Sequence, residues 1–120
     1  MDLSAHHVVG AWLVDKDRAV LHELAKSADP WERRTALVAT FAFIRRGELD
    51  DAYTLVEAIL PDPEDLVNKA AGWVLRAADG VDRERLLRFL EKHAAGMPRT
   101  TLNAAMEHFP VELKARFRGR

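Results

Sequence analysis

Cysteine is absent from the 120 residues. That excludes disulfide scaffolds, thiol nucleophiles and cysteine-based zinc sites, and it fits a reducing cytosol. Long apolar runs are missing too: none approaches the roughly 20 residues that span a bilayer, and no charged-then-apolar leader precedes a cleavage site. A cytoplasmic location, away from any membrane, is therefore expected. No single charge dominates, the formal total being -1 at pH 7, whereas a surface given wholly to nucleic acid usually shows a basic total. Catalytic signatures are equally scarce: there is no glycine-rich phosphate loop, no nucleophile elbow and no His-Glu-x-x-His pair. His6 and His7 are neighbours that project about 100° apart on a helix, so they cannot chelate one metal together. His22, His93 and His108 are isolated. No metal and no cofactor is expected.

What is present is helical. The hydrophobic share of 48% suffices for one domain with a modest core. Apolar residues recur at three and four, as in Ala5, Val8, Val9, Trp12 and Leu13, and again in Leu66, Val67, Ala70, Ala71, Val74 and Leu75. No segment alternates as a strand. Asp29-Pro30-Trp31-Glu32 supplies an N-cap, a proline at the first helical position and an acid at the third, and Asp62-Pro63-Glu64-Asp65 repeats it. Gly47, Gly80 and Gly96 stand where C-terminal caps belong, and Pro98 and Pro110 can open the last two helices. These marks predict helices near 3–14, 17–27, 30–46, 48–60, 63–78, 82–95, 98–108 and 110–117. The starts at Pro30, Pro63 and Pro98 recur at roughly 34 residues, the length of a two-helix solenoid repeat. The expected fold is an all-α, HEAT-like repeat stack of about eight helices forming one domain over residues 1–120, with a plain helical bundle as the competing architecture.

Charge is segregated along the chain. Glu32, Arg33, Arg34, Arg45 and Arg46 make the helix from Trp31 basic, whereas Glu48, Asp50, Asp51, Glu57, Asp62, Glu64 and Asp65 make the next stretch acidic. Lys69, Trp73 and Arg76 fall on one stripe of the helix that follows, beside the apolar stripe of Val67, Ala70, Ala71 and Val74. An exposed indole offers a π-face to a base, a sugar or a cation, and flanking cations can hold phosphates. The plain alternative is a tryptophan capping the core edge with solvated cations. Gly72 in mid-helix costs about 1 kcal/mol against alanine, which points to close approach by a neighbouring helix or a ligand. Arg34 lies one repeat length before Lys69, so the two are expected to stand together near Trp73. One of Arg33 and Arg34 is expected to pair with Glu32 or another acid, and Trp31 to pack at the helix start.

These segments resemble the AlkD-like DNA alkylation repair glycosylases, a HEAT-like family that removes cationic alkylpurines such as 3-methyladenine and 7-methylguanine. The resemblance rests on Trp31-Glu32-Arg33-Arg34 and, more specifically, on Lys69-Ala70-Ala71-Gly72-Trp73-Val74-Leu75-Arg76. It continues through Met97-Pro98-Arg99-Thr100 and His108-Phe109-Pro110. In the family a Trp-Asp-x-x-Asp segment provides an aromatic and a catalytic carboxylate. Asp2, followed by Leu3 and Ser4, matches the second aspartate, and that segment's tryptophan falls ahead of Met1. The resemblance therefore implies the C-terminal half of such an enzyme. It also implies Asp2 as the catalytic carboxylate, Arg34 as a phosphate-side cation, Trp73 as the aromatic wall, and Lys69 and Arg76 as further DNA contacts. The implied partner is double-stranded DNA carrying alkylated purines. Two readings stand at this point: an alkylpurine glycosylase or its inactive remnant, and a non-catalytic helical-repeat module that binds DNA or a protein through the same face.

Overall fold

The computed structural model describes residues 19–118, and every regular element among them is helical. The helix expected over 3–14, with Asp2, His6 and His7, lies outside the described residues. The elements are α1 (Ala19–Ala25), α2 (Pro30–Ala39), α3 (Phe41–Ile44), α4 (Asp50–Ile59), α5 (Asp65–Asp79), α6 (Arg83–His93), a 3-10 turn (Ala94–Gly96), α7 (Arg99–Ala105) and α8 (Val111–Arg118). None of the described helices is long and apolar enough to cross a membrane.

Helices α2, α5 and α7 lie side by side in that order, with α1 against α2. A second layer packs behind them: α4 lies on α2 and α5, and α6 lies on α5. Helix α8 joins that layer through an Arg116–Glu91 ion pair to α6 and through Phe117, which is fully buried. The first helical residues of the inner series, Pro30, Asp65 and Arg99, fall 35 and then 34 positions apart. That is the expected repeat stack. Its core is shared between layers, with Leu37, Phe43, Leu55, Val56, Leu75, Leu86, Leu90 and Met106 all buried.

The helix boundaries follow from local chemistry, and some of them depart from expectation. Asp29 accepts a hydrogen bond from the Trp31 amide at 2.9 Å, and Asp62 accepts one from the Glu64 amide at 2.9 Å, so the aspartate turn does occur twice. Yet α2 starts at Pro30, whereas α5 starts only at Asp65. Pro63 therefore stands in the turn and not at the first helical position. The reason is Asn68, whose side chain accepts from the Asp62 amide at 3.0 Å and donates to the Asp62 carbonyl at 2.8 Å, closing the turn over residues 62–68. The expected 30–46 helix is interrupted at Thr40, a buried residue whose hydroxyl donates back to the Leu37 carbonyl at 2.6 Å. Such back-bonding competes with the helical ladder and bends it. Gly47 does end the segment as a left-handed cap, at φ +82, with its amide on the Ile44 carbonyl and the Glu48 amide on the Phe43 carbonyl. Gly80, by contrast, caps α5 with φ -66, an ordinary right-handed conformation.

Two features bind the inner helices to one another. Gly72 of α5 faces α7 so closely that a Cβ placed on it would stand 2.7 Å from the Ala104 Cβ and 3.1 Å from the Thr101 carbonyl oxygen. Beside it, the buried Thr101 hydroxyl donates to the Asn68 carbonyl at 2.7 Å. The close approach anticipated for Gly72 is thus made by a neighbouring helix. On the other side, Arg33 of α2 donates to both Asp62 oxygens, at 2.8 and 3.1 Å, and to the Ser27 carbonyl at 2.9 Å. Asp62 is buried, so this forked pair replaces the water it has lost.

Gly72→Ala is expected to destabilise the stack by about 1–3 kcal/mol through overpacking, despite the helix propensity gained, and Ala104→Gly in the same chain is expected to recover part of that loss. Urea denaturation measures both, and an unchanged or raised midpoint for Gly72→Ala would contradict the packing. Asp62→Ala strands Arg33, and it is expected to lower the midpoint well beyond Asp65→Ala, which removes only the exposed pair to Lys69.

Candidate nucleic-acid interface

Helix α5 is enclosed on most of its circumference. Val67, Asn68, Ala70, Ala71, Gly72, Val74, Leu75, Ala78 and Asp79 are all buried. Lys69 is exposed, and Trp73 and Arg76 are half-buried. Because positions i, i+4 and i+7 fall on one helical stripe, these three side chains form a ridge along the side of α5 that its neighbours leave uncovered. An indole with cations on either side is therefore presented by the most deeply embedded helix of the stack, whose backbone is held firmly.

The ridge residues differ in how free they are. Lys69 reaches Asp65 at 3.5 Å, but both side chains are more than half exposed, so water and salt weaken the pair and a phosphate can displace it. Arg76 is bound instead to Glu107, which follows α7. The hydrogen bond from Arg76, reinforced by its charge, holds the Glu107 carboxyl below the ordinary carboxylate range. Arg76 thus ties α5 to the next repeat.

Helix α2 separates its two arginines. Arg33 is the one that pairs with an acid, and that acid is Asp62; Glu32 is engaged by the Ser27 hydroxyl at 3.2 Å. Arg34 lies with its guanidinium carbon 6.0 Å from the centre of the Trp31 ring, at the outer limit of a cation–π contact. Its Nε is buried and has no hydrogen-bond partner among the described residues. Trp31 is 51% exposed, so it packs at the helix start far less than expected and adds a second accessible indole.

Register relates the two helices. Arg34 stands four residues after Pro30, where α2 begins, and Lys69 stands four after Asp65, where α5 begins. The two therefore occupy equivalent positions, counted from the helix starts, in adjacent packed helices. Counting four residues from Arg99 in α7 reaches Asn103, which is exposed. Arg34, Lys69 and Asn103 thus hold the same position counted from the starts of successive inner helices, and Asn103 had no counterpart in the sequence reading, where the proline-led start suggested Pro98 as the origin of the count.

Chemically, two cations and a polar amide in a row suit a phosphate backbone, and the indoles of Trp31 and Trp73 suit a base or a cationic ring. No group of three or more His, Asp or Glu side chains among the described residues is arranged to hold a metal ion. Asp2, the carboxylate implied by the family motif, lies outside the described residues.

Comparison with known proteins gives one match. No curated protein and no solved structure gives a significant match. A family model, described as DNA alkylation repair enzyme, matches residues 1–109, nearly the whole chain. That match gives the protein a role in DNA alkylation repair and makes DNA its partner: the chain belongs to the DNA alkylation repair enzyme family.

Proposed function

We propose that this chain acts in DNA alkylation repair as a glycosylase, hydrolysing the N-glycosidic bond of cationic purines such as 3-methyladenine and 7-methylguanine. The observation that carries the reading is the ridge of Lys69 and Trp73 on an otherwise buried α5, in register with Arg34 on α2. In this reading the inner layer is the HEAT-like concave surface that receives the duplex. Arg34 and Lys69 take backbone phosphates through charge-assisted contacts, and Trp73 lies against the lesion, where an electron-rich face favours a cationic ring over a neutral one. Arg76 reaches a phosphate only by exchanging Glu107 for it, so its share in binding is smaller than that of Lys69.

An alkylated purine already carries the positive charge that makes it a good leaving group, so bond cleavage needs little help from a general acid. The developing oxocarbenium-like sugar does need a negative neighbour. Asp2 is the proposed carboxylate, stabilising that charge electrostatically or orienting the attacking water.

The deciding measurement is release of free 7-methylguanine or 3-methyladenine from alkylated duplex DNA, followed chromatographically. Asp2→Asn is expected to reduce release at least a hundred-fold, and Trp73→Ala about ten-fold or more, the scale of one base–aromatic stack. Arg34→Ala is expected to weaken duplex binding and to lower its salt dependence by about one counterion. Salt-sensitive binding without release would make the chain a non-catalytic DNA-binding module, and absence of both would overturn the proposal.

A further inference from the structure

The second layer carries a groove of its own. Helices α4 and α6 meet through an aromatic ladder, with the Tyr53 and Phe89 rings 5.0 Å apart and Phe89 and His93 4.5 Å apart. Two contiguous hollows open along it, about 240 and 270 Å³, and both are lined by Glu57, Phe89, Lys92 and His93. The first is the more apolar of the two, with Val56, Leu60, Pro61 and Met97 in its wall. The second is basic, with Arg85, Arg88 and Lys92. Together they reach the size of an ordinary small-molecule site.

Three details indicate what such a ligand must be. Arg88 and Lys92 form no ion pair among the described residues, whereas Arg85 is held by Asp50 at 2.8 Å and lies over the Tyr53 ring at 4.7 Å. Tyr53 lines the same basic lobe and is only 6% exposed, yet its hydroxyl is buried without a hydrogen-bond partner among the described residues. A buried donor left unsatisfied is costly, and a hydroxyl beside free cations is suited to an anionic oxygen. Glu57 stands where the lobes join, 3.7 Å from the His93 Nε2. Its carboxylate repels a run of phosphates crossing the groove, admits a single one at the basic end, and accepts from N–H donors at the other.

We propose that the groove between α4 and α6 is a second ligand site, taking a single phosphate monoester joined through a sugar to a flat ring with N–H donors, the chemistry of a purine nucleoside monophosphate. The phosphate sits between Arg88, Lys92 and the Tyr53 hydroxyl, and the ring enters the apolar lobe against Phe89 and His93. This site lies in the second layer, apart from the ridge of α5, and it does not rest on glycosylase activity. A free nucleotide and a phosphorylated DNA end share this chemistry.

The test is titration of the full chain with guanosine 5′-monophosphate, followed by amide NMR shifts and calorimetry, beside inorganic phosphate, guanosine, and a short duplex with and without 5′-phosphates. Guanosine 5′-monophosphate is expected to shift α4 and α6 resonances and to bind at least ten-fold more tightly than inorganic phosphate or guanosine alone. Tyr53→Phe is expected to weaken that binding several-fold with stability kept or raised, and Arg88→Ala with Lys92→Ala at least ten-fold. The same shifts from the 5′-phosphorylated duplex alone would support the site and identify its source as a DNA end. The proposal is overturned if none of these probes perturbs α4 and α6, if the shifts fall on α2 and α5 instead, or if Tyr53→Phe and the double variant bind as tightly as the native chain.

Discussion

The stack depends on one constraint: α5 must lie against α2, α4, α6 and α7 at once, and a helix can be enclosed so completely only if its own side chains are small where neighbours come close. Ala70, Ala71, Gly72 and Ala78 meet that condition. Enclosure creates a second requirement, because polar groups at the helix ends are carried into the interior with it. Both ends are met by an arginine on a buried aspartate. Ahead of the N-terminus, Asp62 receives Arg33 from α2. At the C-terminus, Asp79 is buried next to the negative end of the helix dipole, an unfavourable place for a carboxylate, and Arg83 forks onto it at 2.9 and 3.1 Å while also donating to the His108 carbonyl. Each arginine also reaches a different repeat. The same contacts that satisfy α5 therefore fix the distance between successive repeats.

Continuity follows from this. The chain of bonds runs from the Ser27 carbonyl through Arg33 and Asp62 to Asn68, and from the Asn68 carbonyl to Thr101. It crosses from α2 to α7 without leaving the stack. In a repeat protein most stabilisation comes from contacts between neighbours, and a polar relay through the interior also sets their angular register, which apolar packing alone leaves freer to slide. Register is what the proposed DNA-facing row requires. Arg34 and Lys69 belong to different repeats, and a phosphate backbone can meet both only if the repeats keep a fixed offset.

Much of this was legible in the residues. The helix type, the roughly 34-residue period and the aspartate turns at Asp29 and Asp62 could all be read because each is a local signal with its own mechanism. The ridge of Lys69, Trp73 and Arg76 was legible for the same reason, since helical periodicity places the three on one stripe beside the small residues that pack. What could not be read depended on partners distant in sequence. Nothing local says that Asp62, 29 positions away, selects Arg33 and leaves Arg34, or that Arg76 is occupied by Glu107 from the next repeat. Thr40 broke a predicted helix, its buried hydroxyl bonding back to the Leu37 carbonyl of the preceding turn. The groove of α4 and α6 was hidden by the acidic character of residues 48–65, whereas its cations come from α6, one helix further on.

Two layers of paired helices also divide the labour of their side chains. An inner helix is touched from three sides, so its accessible residues reduce to a single stripe, and a row of such stripes makes a broad, rigid surface suited to a long ligand. An outer helix has fewer neighbours and keeps long side chains, which lie across the furrow to the next outer helix and make narrow hollows suited to small ligands. Residues Arg85, Arg88, Phe89 and Lys92 occupy such a furrow, while Arg34 and Lys69 occupy such a row. The short turn after Gly80, with Asp79 and Arg83 bonded across it, joins the inner helix α5 to the outer helix α6 and so sets the row and the furrow on different layers of one repeat.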